Sequence, residues 1–393
     1  MTPAARVQAA IEVLDLVIAA ARGNGPPADR IVSDWFRPRR FAGSGDRRAV
    51  RELVYGAIRA CGEVPVSGRA AVLLLAGEDP ALAALFDGSR HAPAPIGPDE
   101  PVACAGIAPA WLEALLSDSG VAGADARALL ARAPLDIRVN TLKADRATIE
   151  LPVSAEPTAA TQGLRLPFGT PVEQWDAYRR GLIEVQDTGS QLTCEVIAAA
   201  PGETVIDLCA GAGGKTLALA AAMGNRGRLI ACDTDRARLS RLPPRAARAG
   251  ATIVETVLLD PGREDEALGV WRGRADAVLV DAPCSGTGTW RRNPEARWRL
   301  SEAQLARHIA LQGRLLDLAA GLAAPGGRLV YVTCSLLDAE GARQVDAFLA
   351  RNPGWTAAAP RLPAGRPRGS GLRLEPAGDG TDGFFVAHLT RLC

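Results

Sequence analysis

The 393-residue sequence is poor in lysine and histidine, which limits the kinds of site it can build. Lys143 and Lys215 are its only lysines, and it contains three histidines. Its eight cysteines form no Cys-x-x-Cys pair, so the spacing typical of a structural zinc site is missing. We therefore expect no bound metal, and we expect free thiols in a reducing compartment.

Long apolar runs and a strong charge imbalance are also missing. The apolar stretch over residues 11–21 is interrupted by Glu12 and Asp15, which is not typical of a membrane span or a signal peptide. The net charge of +1 does not by itself favour or oppose a polyanionic partner, because clustered basic residues attract phosphate even in a neutral protein. We expect a cytoplasmic monomer that does not enter membranes.

The hydrophobic pattern divides the chain into three predicted domains, as its length allows. Apolar residues recur at helical spacing in the first part, which predicts a helical domain over residues 1–130. The alternation in Leu135–Leu142 (LDIRVNTL) predicts a strand within a small α/β domain over residues 131–185. Residues 186–393 form the predicted third domain.

The third domain alternates apolar strands with helices, which predicts an α/β, Rossmann-like fold with a parallel sheet covered on both faces. A final strand over residues 384–392 has no helix after it, so we expect it to insert antiparallel. Pro243-Pro244 should kink or split the second helix. The predicted strands cover residues 204–208, 228–232, 253–259, 277–280 and 328–333, and the predicted helices cover 216–223, 236–249, 302–322 and 339–350.

A glycine-rich loop, Asp207–Thr216 (DLCAGAGGKT), connects the first of these strands to a helix. A phosphate-binding loop would need glycine at position 209, and a dinucleotide fingerprint would need glycine at 216. Asp233, which ends the next strand, is placed to accept hydrogen bonds from ribose hydroxyls. The loop therefore favours S-adenosylmethionine. An ATPase with Asp281 as its magnesium-binding acid is an alternative.

Two cysteines follow neighbouring predicted strands, Cys284 in VDAPCSGTG and Cys334 in YVTCS. Strand ends of a parallel sheet share one edge, so we expect these thiols and Asp281 to lie together. A thiolate that adds to carbon 6 of cytosine makes carbon 5 able to accept a methyl group. Asp281 is placed to protonate ring nitrogen 3, and a second cysteine could assist release of the product.

These motifs resemble the bacterial Sun/Fmu-like (RsmB-like) family of RNA cytosine-5 methyltransferases, and the resemblance extends from Leu135 to the end of the chain. It implies that Cys334 is the nucleophile and that Cys284 assists product release, with Asp281 and Lys215 also catalytic. Glu340 is followed here by glycine where the family often has asparagine. The cofactor contacts that the resemblance implies are Cys209, Ala210, Gly211, Ala212, Gly213, Gly214, Lys215, Asp233, Asp260 and Asp281, of which Asp260 lies in an atypical context.

The helical domain is similar to the NusB-like RNA-binding domain of this family, with residues 46–55 (DRRAVRELVY) as the best match; a generic helical bundle is the alternative. After the second cysteine motif, Arg291, Arg292 and Arg297 are predicted to contact RNA phosphates. Trp290 and Trp298 would stack on bases or pack in the core. We expect a solvated outer face for five further arginines, Arg236, Arg238, Arg241, Arg245 and Arg248.

The resemblance predicts methylation of carbon 5 of a cytosine in RNA, with 16S rRNA as the first expectation. The same chemistry on tRNA and a catalytically silent RNA-binding assembly factor are the alternatives. DNA is disfavoured, because DNA cytosine methyltransferases take their nucleophile from the loop that here contains Cys284. The target base must leave its stack to reach Cys334, so an unpaired or easily opened RNA segment is expected.

Overall fold

A computed structural model describes residues 1–23 and 25–393 as two compact units. The first unit contains residues 1–132 and the segment Thr289–Ser301, and the second contains residues 133–288 and 302–393. The structure therefore divides into two compact units, whereas the sequence predicts three domains. The segment that carries the predicted RNA-binding arginines belongs to the first unit, and the predicted middle domain belongs to the second.

The first unit is helical, as predicted. Thr2 caps its first helix by accepting a hydrogen bond from the Ala5 amide, and Pro3 begins that helix. Gly68 lets another helix cross closely, because a Cβ atom there would lie 2.2 Å from the Ile11 carbonyl oxygen. Trp298, from the distant segment, joins the apolar core of this unit. The helices are Pro3–Arg22, Ala28–Phe36, Ser44–Ala60, Gly68–Glu78, Pro80–Ala83, Ala110–Asp118, Gly123–Ala128 and Ala296–Arg299.

The second unit begins with a small antiparallel sheet of four strands in the order β2-β3-β1-β4. Its apolar side chains form a core of their own around Ile137, Leu164 and Trp175. The strand predicted at Leu135–Leu142 is confirmed as β1, although it ends at Val139. The strands are β1 (Leu135–Val139), β2 (Glu156–Pro157), β3 (Gly163–Leu166) and β4 (Ile183–Val185).

The large sheet has nine strands, eight of them in the order β11-β12-β13-β9-β8-β5-β6-β7, and β10 pairs with β13. Strands β5 to β9 pair with one another in parallel, and β13 pairs antiparallel with β9. The predicted parallel sheet and the predicted antiparallel insertion of the last strand are therefore confirmed. The strands are β5 (Thr204–Asp207), β6 (Arg228–Asp233), β7 (Val254–Leu258), β8 (Ala275–Asp281), β9 (Ala323–Thr333), β10 (Trp355–Ala358), β11 (Arg366–Arg368), β12 (Gly371–Leu374) and β13 (Phe384–Arg391).

Helices connect these strands close to the predicted positions. The predicted second helix is split, and Pro243 and Pro244 lie in the first turn of its second half. Strand β9 begins five residues earlier than predicted, because the pairing of β9 with β8 shifts register around Pro325-Gly326-Gly327. The helices are Asp176–Arg179, Thr188–Val196, Gly214–Ala222, Arg236–Leu239, Leu242–Ala249, Glu264–Leu268, Glu302–Leu322, Ala342–Arg351 and Pro376–Asp379.

The order of the large sheet determines where chemistry can occur. Strands β6, β5, β8 and β9 lie side by side, so the loops after their carboxyl ends share one edge of the sheet. These are the loops that contain the predicted cofactor and cysteine motifs. Among the residues that the structure describes, none of the helices combines the length and apolar character that a membrane crossing requires.

Candidate active site

The glycine-rich loop runs from β5 to the helix Gly214–Ala222 and is attached to the neighbouring strand. Gly211 and Gly213 have φ values of 56° and 87°, a region that side chains other than glycine rarely enter. The Gly211 amide donates to Asp233 Oδ2 over 2.7 Å, and the Ala210 amide donates to the Cys232 carbonyl over 2.8 Å. The loop is therefore held against the end of β6, with Asp233 beside it.

An arginine that the sequence placed on a solvated face also holds this loop. Arg245 donates to the Ala212 carbonyl over 2.6 Å and to Glu184 Oε2 over 3.0 Å. Arg248 also pairs with Glu184, which is buried and needs a cationic partner. The prediction was wrong for Arg245 and Arg248, because their partner lies on β4 and is remote in sequence. The other three arginines, Arg236, Arg238 and Arg241, are exposed as predicted.

The residues around the loop fit S-adenosylmethionine. Asp233 is buried, and each of its oxygens accepts one backbone amide, which leaves lone pairs for hydroxyl groups. A Cβ atom on Gly214 would meet nothing within 4 Å, so the helix begins in open space. Asp207 Oδ1 is buried and has no hydrogen-bond partner among the described residues, and burial raises the Asp207 pKa to about 7. Asp260 is exposed.

Lys215, in the first turn of the helix after the loop, forms an ion pair with Asp281. Its Nζ atom lies 2.7 Å from Asp281 Oδ2 and 5.5 Å from the centre of the Phe384 ring. Burial alone would lower the pKa of Lys215, but the charge and hydrogen bond of Asp281, together with the neighbouring Cys194 and Cys334, outweigh it and raise that pKa. Lys215 therefore stays positively charged and holds the Asp281 carboxylate in place.

The two cysteines predicted to lie together do so. The Sγ atoms of Cys284 and Cys334 are 3.4 Å apart, and both side chains are partly exposed. The contact with Cys334, together with burial, raises the pKa of Cys284 well above the usual value of a thiol. The Gly288 amide also donates to the Cys334 carbonyl over 3.0 Å, so the backbone joins the two loops as well.

A buried polar network that the sequence did not reveal lies behind the cysteines. Ser285 and Ser335, each directly after one of the two cysteines, have their hydroxyl oxygens 3.1 Å apart. Glu340, which is fully buried, accepts hydrogen bonds from the amide and the hydroxyl of Ser285 and from Gln312 Nε2. In the sequence, Glu340 is recognisable only as a glutamate six residues after Cys334, and nothing there identifies its hydrogen-bond partners.

The expected RNA contacts are corrected in part. Arg297 is 0% exposed, and its guanidinium donates to the carbonyl oxygens of Pro294, Ile58 and Cys61, so it has a structural role within the first unit. The two tryptophans, Trp290 and Trp298, are buried and unavailable for stacking on bases. Arg291 is also buried, whereas Arg292 is exposed.

Comparisons with known proteins find related methyltransferases. Residues 194–390 match the family model described as 16S rRNA methyltransferase RsmB/F. The probable ribosomal RNA small subunit methyltransferase B of Synechocystis sp. is 35% identical over 65% of this chain and 60% of its own length. The ribosomal RNA small subunit methyltransferase B of Xylella fastidiosa is 37% identical over 72% of this chain and 68% of its own. The chain therefore spans less than two thirds of the Synechocystis relative.

Solved structures show the same fold. The crystal structure of PH0851 superposes with a TM-score of 0.77 at 26% identity and covers 99% of both chains. A methyltransferase homolog from Pyrococcus horikoshii gives a TM-score of 0.59 at 27% identity, covering 72% of this chain and 99% of that one. NSun6 from Pyrococcus horikoshii with SFG gives 0.52 at 27% identity, covering 58% and 57%. These likenesses confirm the Rossmann-like α/β fold, and the family match supports S-adenosylmethionine as the cofactor.

Proposed function

Because the chain belongs to the RsmB/F family of 16S rRNA methyltransferases, we propose that it transfers a methyl group from S-adenosylmethionine to carbon 5 of a cytosine in 16S rRNA. The observation that carries this proposal is the 3.4 Å contact between the Cys284 and Cys334 sulfurs at the shared sheet edge. A pair of thiols suits a reaction that must first form and then break a bond from sulfur to the base.

Cys334 is the proposed nucleophile, and the state of its neighbour supports this role. The raised pKa of Cys284 keeps that thiol protonated, so Cys284 is the weaker nucleophile of the pair. The Cys334 thiolate then adds to carbon 6 of the flipped cytosine, forming the carbon–sulfur bond while the ring electrons move toward nitrogen 3.

Asp281 and Lys215 act on the proton at nitrogen 3. Asp281 delivers a proton there as the ring electrons arrive and takes it back when the ring recovers its aromatic bonding. The Lys215 ammonium, 2.7 Å away, orients the carboxylate, and the proton that Asp281 delivers reaches it from solvent.

Cys284 acts in the release step. After the addition, the Cys334 sulfur is a neutral thioether, so the contact that contributes most to the raised pKa of Cys284 is lost. Cys284 can then pass its proton to solvent and accept the proton from carbon 5. The electrons of that carbon–hydrogen bond form the double bond between carbons 5 and 6, and the carbon–sulfur pair returns to Cys334.

S-adenosylmethionine supplies the electrophilic methyl group when bound. The chain would hold it with the loop Cys209–Lys215 and with Asp233, whose buried carboxylate suits ribose hydroxyls. Asp260 follows β7 at the same edge of the sheet and is a further contact in this proposal. Arg245 fixes the loop from behind through the Ala212 carbonyl.

RNA is the proposed partner, and Arg292 is the exposed arginine of the predicted RNA-binding segment. The test incubates the purified protein and methyl-labelled S-adenosylmethionine with 16S rRNA, with small ribosomal subunits and with tRNA. Bisulfite mapping then locates any product. Label at carbon 5 of a cytosine in 16S rRNA supports the proposal, and label in tRNA alone moves the activity to that substrate. RNA binding without label would instead favour a silent assembly factor.

A further inference from the structure

Glu340 connects the loops of the two cysteines through buried hydrogen bonds. Its Oε1 atom accepts from the Ser285 amide over 2.9 Å and from Gln312 Nε2 over 3.0 Å, and its Oε2 atom accepts from the Ser285 hydroxyl. Gln312 donates in addition to the Pro283 carbonyl over 2.9 Å. The carboxylate thus holds Ser285 directly and Pro283 through Gln312, on the two sides of Cys284.

Hydrogen bonds between hydroxyl groups also connect Glu340 to the loop that contains Cys334, and their directions can be assigned. The one hydroxyl proton of Ser285 goes to Glu340, so Ser335 must donate in the 3.1 Å contact between the two serines. The Ser335 oxygen then accepts from Thr287, 3.2 Å away, and from the Leu337 amide. The chain of hydrogen bonds therefore runs from the Cys334 loop to the Cys284 loop and ends on Glu340.

The position of Glu340 is itself fixed. Its own carbonyl accepts a hydrogen bond from the buried Tyr331 hydroxyl over 2.7 Å, and Tyr331 lies on β9, three residues before Cys334. The carboxylate is therefore anchored to the strand that presents one cysteine while it holds the loop that presents the other. A change at Glu340 alters the separation of the two sulfurs more directly than it alters either strand.

We infer that Glu340 is a positioning residue that keeps Cys284 against Cys334 and so sets the rate at which the covalent RNA adduct is released. This inference rests on the proposed two-cysteine chemistry. Addition needs the Cys334 sulfur alone, whereas release needs Cys284 close to the same base. Displacement of the Cys284 loop should therefore slow release and leave addition nearly unchanged.

The test is the variant Glu340→Gln, which has the same shape. The glutamine side chain has one oxygen, which accepts hydrogen bonds, and one NH2 group, which cannot accept them. At least one of the charge-assisted hydrogen bonds from Ser285 or Gln312 to Glu340 is therefore lost. We expect release of the adduct to slow by about tenfold or more, since such a bond is of the order that changes a rate tenfold. Adduct formation should stay within about threefold of wild type. Single-turnover kinetics with RNA, following the adduct on denaturing gels, separates the two rates.

Two further variants make the result specific. Ser285→Ala removes only the hydroxyl link and should slow release in the same direction by a smaller factor. Glu264→Gln alters another buried carboxylate, which bonds to Arg314, and should change neither rate. Equal slowing of both steps in Glu340→Gln, or release at the wild-type rate, would overturn the inference. Failure of the proposed function is distinct from both, because no adduct would then form even in Cys284→Ala.

Discussion

Lys215 and Asp281 form an ion pair across two adjacent parallel strands, with 2.7 Å between Nζ and Oδ2. Lys215 follows β5 and Asp281 ends β8, so the pair joins the cofactor loop to the cysteine loop. In a protein with only one other lysine, this cation lies at the chemical centre of the site.

Replacement of Lys215 by methionine should reduce methyl transfer by about 10²-fold or more, the order expected when a general acid–base group loses its partner. The substitution keeps the length of the side chain and removes the charge that orients Asp281. Initial rates with saturating S-adenosylmethionine measure the effect. Lys143→Met is the matched control, because Lys143 is exposed and donates hydrogen bonds to the backbone carbonyls of Arg180 and Arg248. Equal losses in both variants would remove the special role of Lys215.

Substitution of each cysteine should separate the two halves of the reaction. Cys334→Ala should form no covalent adduct with RNA, because the nucleophile is gone. Cys284→Ala should accumulate the adduct, because addition continues while release is slowed. Denaturing gels of protein incubated with RNA and S-adenosylmethionine distinguish these outcomes. Adduct in Cys334→Ala and none in Cys284→Ala would reverse the assigned roles.

Arg245→Met should weaken binding of S-adenosylhomocysteine by about tenfold, the effect of losing a charged hydrogen bond of roughly 1.5 kcal/mol. The Ala212 carbonyl would lose its donor, and the buried Glu184 would lose one of its two cations. Isothermal titration calorimetry gives the affinity. Arg241→Met, at an exposed position close in sequence, is the control and should bind as wild type does. An unchanged affinity in Arg245→Met would show that the loop needs no such support.

Asp207 makes a prediction about stability against pH. Burial raises its pKa from 3.8 to about 7, so the folded state binds its proton more tightly than the unfolded state does. The stability linked to this proton is fully present below about pH 4 and is lost as pH rises through about 7. The slope reaches at most about 1.4 kcal/mol per pH unit. Urea unfolding of Asp207→Asn between pH 5 and 8 should lack this slope; identical profiles would contradict the assignment.

Substitutions of Arg297 and Arg292 should have different effects, the first on stability and the second on RNA binding. Arg297→Ala leaves several buried carbonyl oxygens without a donor and should destabilise the first unit by about 3 kcal/mol. Arg292→Ala should weaken RNA binding in a salt-dependent manner. Thermal unfolding and filter binding at two salt concentrations measure the two effects. If Arg297→Ala were as stable as wild type and bound RNA more weakly, the original expectation that Arg297 contacts RNA would hold instead.

The sequence was sufficient for features that depend on short spacing. The glycine pattern before Lys215 and the cysteines at two strand ends are local, and the rule that parallel strand ends share one edge brings them together. The antiparallel insertion of β13 followed from the lack of a helix after it. These predictions needed only the order of the elements along the chain.

The sequence was insufficient where a polar group meets a partner remote in the chain. Glu340 and Ser285 are 55 residues apart, Arg245 and Glu184 are 61 apart, and Arg297 and Ile58 are 239 apart. Sequence analysis predicts that an arginine or a glutamate is exposed, because such a charge is buried only when a partner neutralises it and a remote partner cannot be identified from the sequence. Each of these errors therefore has the same physical cause.

The placement of Thr289–Ser301 in the first unit has a consequence for synthesis on the ribosome. The first 132 residues emerge early, but the core of their unit is incomplete until Trp298 arrives. At roughly 5–20 residues per second, translation of the intervening stretch takes about 10–30 s. During that interval the nascent helical unit exposes the apolar surface that Trp298 later covers, so chaperones that bind such surface have time to act before the first unit closes.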